Sequence, residues 1–338
     1  MNDPIRPVGV LTAEQVRATL VAATSAPSLH NSQPWRFQYA PNAIELHTDH
    51  ARGVPVADPD HRELTLACGA ALLNLRIAIK AMGVFPDVRV LPDRGDPTLL
   101  ATVRPASRRA ATPLDQALAA AIPQRHTNRR PFADRPVSAP VRHELKLAAE
   151  LERSWLAIIE PAQLPLLRVL VRRAHDAQLA DPEFMAEWTH WIGRDDRTPD
   201  GVPARSSGPL PAPQDKWTVR DFAGTHARER VPGKNFEPDP LIAVIGSFHD
   251  GPGAWLQAGQ AMQRVLLTAT AARLAASFVS QVVEVPATRR DLRTLIGGAV
   301  WPQTVLRIGY GSPVPATPRR DLSDVVDNTD HSAAATGR

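Results

Sequence analysis

Residues 66–82 read LACGAALLNLRIAIKAM, the main part of a helical stretch that opens at Glu63, runs to Met82 and is closed by Gly83 in the place of a C-cap glycine. Apolar side chains occur almost all round this helix, so it has no face to present to water and has to be enclosed by the rest of the protein. A chain of 338 residues, 43% apolar and 22% charged, can supply that enclosure as two domains or one large one. No apolar run approaches a membrane span, and the opening MNDPIRPVGV lacks the apolar centre of a signal peptide. A soluble, cytoplasmic protein without a membrane partner is expected.

Other classes fall away on composition. The single cysteine, Cys68, lies among Ala and Leu and reads as a small core residue; it excludes a disulfide framework and multi-thiolate metal sites. Thirty-nine basic against thirty-five acidic residues leave a dispersed +4, and aromatics are only 5%, so the basic stripe and stacking platforms of a nucleic-acid binder are absent. Lysine occurs only at 80, 146, 216 and 234, so an anionic ligand here is to be held by arginine forks.

The local patterns predict an α+β protein, a mixed sheet wrapped by helices. Thr12-Ala-Glu-Gln15 is a capping box that starts a helix ended by Pro27. Trp35–Tyr39 and Ile44–His47 form a hairpin about Pro41-Asn42, and Val88–Leu91 and Thr98–Val103 are strands. After Thr112-Pro-Leu-Asp opens a helix, the pattern restarts with a helix at Val141–Glu152, a strand at Trp155–Ile159, and helices at Leu164–Leu179 and Pro182–Ile192. Arg194–Pro238 has no periodicity and is long enough to be a lid. Strands at Leu241–Ser247 and Thr304–Tyr310, a long helix Ala254–Phe278 and a short one Ala287–Ile296 complete the chain. A polar tail over residues 323–338 is expected to be disordered.

Several apparent motifs do not carry chemistry. Gly251-Pro-Gly253 lacks the third glycine of a dinucleotide fingerprint, and Leu256 stands in its place. Gly246-Ser-Phe-His-Asp250 has no nucleophile elbow, and His47-Thr-Asp-His50 is not a helical metal pair. Two segments are harder to read as plain turns. Ala26–Arg36 compresses Ser28, His30, Asn31, Ser32 and Gln33 between prolines, hydroxyls and amides suited to the edge of a flat heterocycle. Arg125-His-Thr-Asn-Arg-Arg-Pro-Phe132 suits an anion cradle, with Arg319-Arg320 as a second basic spot.

These segments carry a resemblance. Pro27-Ser-Leu-His-Asn-Ser-Gln-Pro-Trp35 resembles the P-S-x-x-N-x-Q-P-W loop of FMN-dependent nitroreductases, and Arg125-His-Thr-Asn-Arg129 resembles their R-[RH]-S-x-[RK] phosphate motif. Gly259–Gln263 through Pro302–Gly311, with Pro318-Arg-Arg320, is similar to that family's closing helix, strand and terminal basic pair. The whole, over residues 10–322, is most similar to the Acg-like actinobacterial branch.

The resemblance implies a nitroreductase-like fold made of two fused halves, residues 10–110 and 111–322, forming an intramolecular pseudo-dimer that stays monomeric or pairs further. In the family the arginine motif precedes the Pro-Ser loop. Here the first half has the loop without the arginines, and the second has the arginines but only Leu151-Glu-Arg-Ser-Trp-Leu156 where the loop belongs. One complete FMN site built from both halves is implied, beside one extinct site. Ser28, Asn31 and Gln33, with His30 in the same loop, are assigned to the flavin ring edge. Arg125, Thr127 and Arg319 or Arg320 are assigned to the phosphate, Arg129 to the pyrimidine side, and Gln281, in place of an acidic residue, to the N5 side. No side chain is assigned as catalytic, because the flavin carries the chemistry. The implied activity is NAD(P)H-dependent reduction of a small nitroaromatic or quinone-like acceptor, and the rival reading is a flavin-sequestering protein with a lid.

Overall fold

The computed structural model describes residues 5–212, 214, 215, 217, 220–222, 235–237 and 239–327. Helix α1 (Ala13–Thr24) begins at the capping box: Thr12 Oγ1 accepts from the Gln15 N–H, and Gln15 Oε1 accepts from the Thr12 N–H. Strands β1 (Trp35–Ala40) and β2 (Ala43–Thr48) form the hairpin, with Asn42 at φ 57° in its turn. The apolar helix is α2 (Arg62–Ala81); Gly83, at φ 71°, turns the chain into β3 (Val84–Val90) and β4 (Leu99–Arg108). Helix α3 (Pro113–Ala121) leads to α4 (Ala139–Glu150) and β5 (Trp155–Ile158), then to an excursion through α5 (Leu164–Leu179) and α6 (Pro182–Trp191). There follow β6 (Leu241–Ser247), α7 (Pro252–Ala271), β7 (Ala275–Phe278), α8 (Gln281–Glu284), α9 (Pro286–Leu295), β8 (Trp301–Gly309), α10 (Leu322–Val325) and β9 (Val326–Asp327).

The two sheets repeat one topology. Helix, two strands, helix, two strands occurs as α1-β1-β2-α2-β3-β4 and again as α4-β5-β6-α7-β7-β8. The sheet orders are β3-β4-β2-β1-β9 and β5-β6-β8-β7, so apart from β9 each strand has its counterpart at the same place, and these pairings are antiparallel throughout. The sequence shows this only as element order, but α2 and α7 mark it in residues. Both have 20 residues, with Leu66 and Gly69 in one matched by Leu256 and Gly259 in the other. A Cβ on Gly69 would lie 2.2 Å from the Leu256 carbonyl oxygen, and one on Gly259 would lie 2.1 Å from that of Leu66. The helices therefore cross backbone to backbone at a reciprocal pair of glycines, and this contact joins the two sheets into one core.

Four expectations need correction. The predicted helix Ala254–Phe278 stops at Ala271: Arg273 turns through φ 59°, and Ala275–Phe278 pairs with β8 as β7. Strand pairing at the sheet edge overrides the helical preference of an alanine-rich segment. The tail does not begin at 323, because α10 and β9 lie there and β9 pairs in parallel with β1, Phe37 opposite Val326. That pairing covers the edge of β1 and buries Val325 and Val326; residues 328–338 lie outside the described residues. The sheets are mixed only through β9. Finally, α2 is long and apolar enough to cross a membrane, but 78% of its most apolar window is buried inside the protein, as its all-round apolar surface requires.

Candidate functional site

Ten residues connect α1 to β1, and only four connect α4 to β5. The longer connection holds an unusual backbone, with His30, Asn31 and Gln33 at φ 50°, 59° and 54°. Three non-glycine residues in the left-handed region cost free energy that the surroundings have to offset. They are held by Ser28 Oγ, which accepts from the Gln33 N–H (2.9 Å), and by Arg52 Nε, which donates to the Ser32 carbonyl (2.6 Å). The short connection has no room for such a loop. In its place Glu152 is buried between Arg76 (2.7 Å) and Arg264 (2.6 Å), so the position related by the repeat is filled by paired charge.

Facing the long loop is the arginine segment. Thr127 bridges to Ala276, and the Asn128 N–H donates to the Ala276 carbonyl (2.8 Å), which lays residues 125–129 along β7. Between loop, segment, α2, α7 and the β7–α8 turn lies a cavity. Ser28, His30, Thr127, Arg129 and Gln281 line it. A smaller recess shares Ser28, Thr127 and Arg129 with that cavity and adds Asn31, Arg125, Ser206 and Arg319. The site thus takes residues from both repeats and from the last turn of the chain.

The electrostatics of the recess are unbalanced. Arg125 is buried, its Nε and the Ser206 Oγ lack a hydrogen-bond partner, and among the described residues no carboxylate pairs with Arg125, Arg129 or Arg319. Burial lowers the pKa of all three guanidiniums, and Arg319 lowers that of Arg125 further. Guanidiniums do not give up a proton near neutrality, so this is positive charge met only by carbonyl and amide oxygens and the Phe222 ring, and an anion would neutralise it. Elsewhere in the wall charge is balanced: Arg220 pairs with Glu284 and donates to Ser280 Oγ (3.0 Å), and Arg307 pairs with Glu237 (3.4 Å).

Two assigned residues do not line either space. Gln33 is fully buried; its amide donates to the Pro199 (2.7 Å) and Asn31 (3.3 Å) carbonyls and accepts from the Arg320 N–H (2.9 Å). Arg320 itself turns to the carbonyls of Gln33 and Asp324 and to Asp49. Asn31 lines the recess rather than the larger cavity, donating to the carbonyls of Gly201 (3.1 Å) and Pro318 (3.2 Å) and accepting from Arg319 (2.9 Å). The reason is common to all three. They satisfy buried backbone groups of a strap, residues 199–206, and of the closing turn, which would otherwise be left unpaired. Asp200 of the strap pairs with Arg52 and Arg194, and the Ser206 carbonyl accepts from Arg129 (3.0 Å).

His30 lies edge-on to Trp188 at 5.0 Å, and burial takes its pKa down to about 3, so the imidazole facing the cavity is neutral. Sequence reasoning missed Ser206, Glu63, Arg220 and Arg307, all of which line the site. Nothing in the local pattern of the 194–238 segment separates Ser206 or Arg220 from its other polar residues. Trp217 and Phe222 of that segment line the cavity; 223–234 and 238 lie outside the described residues.

No protein-family profile matches the chain. Mycobacterium tuberculosis Rv3131, provisionally named an NAD(P)H nitroreductase, is 37% identical over 322 residues, covering 93% of this chain and 92% of the relative. The chain belongs to the NAD(P)H nitroreductase family. A second nitroreductase relative from the same organism, provisionally named and called acg, is 31% identical over 324 residues, 94% of this chain and 97% of its own. A crystal structure from Anabaena variabilis, provisionally titled a nitroreductase, matches with a TM-score of 0.50 at 9% identity over 89% of this chain and 88% of its own, which supports the nitroreductase fold over nearly the whole length.

Proposed function

We propose that the chain binds one FMN and is an NAD(P)H-dependent oxidoreductase reducing a small nitroaromatic or quinone-like acceptor. The observation that carries this reading is the recess: three guanidiniums without carboxylates among the described residues, Arg125 buried, and two buried polar atoms without partners, beside a cavity lined from both repeats. Arg125, Arg319, Thr127 and Ser206 would hold the phosphate, and Ser28, His30 and Gln281 would flank the ring. Arg129 would place positive charge on the pyrimidine side, where it favours the reduced, anionic ring. When bound, the flavin supplies hydride acceptance and donation. The chain's part is to bind it, orient it and exclude water. The filled position at Glu152 supports a single flavin, so titration of apoprotein with FMN should saturate at one per chain.

One observation favours a second reading, flavin sequestration. The strap is held over the recess by Asn31, Gln33, Arg52 and Arg129 together, and Trp217 is buried against the larger cavity, so a bound flavin would be enclosed by both. Anaerobic addition of NADPH or NADH to the FMN-loaded protein separates the two. The oxidoreductase reading expects the visible flavin band to bleach and to return on addition of a quinone. A band that only dithionite bleaches favours sequestration.

A further inference from the structure

Glu63 is the carboxyl that lines the larger cavity among the described residues. It stands in the first turn of α2, anchored by its N–H, which donates to Asp58 Oδ1 (3.0 Å). Its Oε1 accepts from Arg62 Nη2 (2.8 Å), and Arg62 is itself shared with the carbonyls of Gln303 and Val283. No described residue donates to Oε2, which leaves that oxygen for the cavity. The same cavity wall carries Ser280 and Gln281 of the β7–α8 turn, the Arg220 guanidinium and neutral His30.

We propose that Glu63 is the acid that protonates the acceptor when the acceptor takes up hydride. Reducing a para-quinone needs a hydride and a proton. The hydride comes from the reduced flavin; the proton passes from Glu63 to the quinone oxygen that develops negative charge, giving the hydroquinone. The resulting Glu63 carboxylate is reprotonated from water. The inference rests on the oxidoreductase reading above and adds a protein acid to it.

The charged groups around Glu63 are consistent with that role. Burial raises its pKa; Arg62 and Arg220 pull it down, while Glu284 on α8 and Asp58 before α2 push it up, and the balance lies well above the usual carboxylate range. The carboxyl therefore holds its proton to higher pH than an exposed glutamate, the direction a general acid needs.

The test compares Glu63→Gln with wild type and Glu63→Asp, all FMN-loaded and reduced with dithionite, then mixed with either a naphthoquinone or ferricyanide. Ferricyanide takes electrons singly and needs no proton delivered to it. The expected result for Glu63→Gln is ~100-fold slower oxidation by the quinone, an unchanged rate with ferricyanide, and partial recovery in Glu63→Asp. The wild-type quinone rate should fall as pH rises through the Glu63 titration, and that dependence should vanish in Glu63→Gln. In the infrared, wild-type apoprotein at neutral pH should show a protonated-carboxyl band that Glu63→Gln lacks. Equal slowing with both acceptors, an unslowed quinone reaction, or an ionised Glu63 in the infrared overturns the proposal. Dithionite supplies the electrons, so a wild type inert to NAD(P)H defeats the reading in the preceding subsection while leaving the Glu63 comparison intact.

Discussion

Arg125→Ala is expected to weaken FMN binding by about 10- to 150-fold, the equivalent of roughly 1.5–3 kcal/mol for one charge-assisted contact. Asn31→Ala, in the other repeat, is expected to weaken it too, because Asn31 accepts from Arg319 and so fixes a second guanidinium of the same recess. Flavin fluorescence quenching on titration with FMN measures both. Normal retention in both variants would remove the phosphate assignment. The arginine variant has a second, opposite signature. Arg125 is buried beside Arg319 with no carboxylate among the described residues, and a buried charge without a counter-charge costs stability. The apoprotein of Arg125→Ala should therefore melt higher than wild-type apoprotein, while the gain in melting temperature on adding FMN shrinks. A contact of purely structural value would lower the apoprotein's melting temperature instead.

Gly69→Ala is expected to be severely destabilising, costing more than about 3 kcal/mol. Its Cβ would enter to 2.2 Å of the Leu256 carbonyl oxygen and 3.0 Å of the Gly259 Cα, both backbone atoms of α7. No side-chain rotation relieves that; the helices have to separate, opening the contact that joins the two sheets. Gly259→Ala should behave alike, since its Cβ meets the Leu66 carbonyl at 2.1 Å. Gly253→Ala is the control on the same helix. There the only neighbour is Leu91 Cδ1 at an ordinary 3.5 Å, and the alanine should be neutral or stabilising by up to ~1 kcal/mol. Urea unfolding decides it: a lowered midpoint with unchanged slope for Gly69→Ala and Gly259→Ala, and none for Gly253→Ala.

The individual elements were legible wherever the information lies within one or two turns of chain. The capping box at Thr12, the Pro41-Asn42 hairpin, the Gly83 stop and helix Leu164–Leu179 stand where local patterns put them. Where an element depends on a distant partner, local patterns misled. Ala275–Phe278 is a strand because β8 pairs with it, and Val326–Asp327 is a strand because β1 offers an open edge. The same division runs through the site. The Pro-Ser loop and the arginine segment were both identifiable, and eight of the ten assigned residues, Ser28, His30, Asn31, Arg125, Thr127, Arg129, Gln281 and Arg319, line the cavity or its recess. Gln33 and Arg320 line neither space: an amide or guanidinium in a motif serves a ligand or a buried carbonyl equally well, and here each meets backbone carbonyls.

What the sequence by itself determined is the type of each local element and the nitroreductase resemblance, since capping, turn chemistry and apolar periodicity act between neighbours along the chain. What the tertiary structure decided is the pairing of two repeats across Gly69 and Gly259, the burial of Glu152 between Arg76 and Arg264, and the gathering of Arg125, Arg319, Ser206 and Glu63 about one cavity and its recess. These groups lie as much as 256 residues apart in sequence, Glu63 to Arg319. Close packing and the burial of charge bring them together, and neither is encoded in any short stretch of chain.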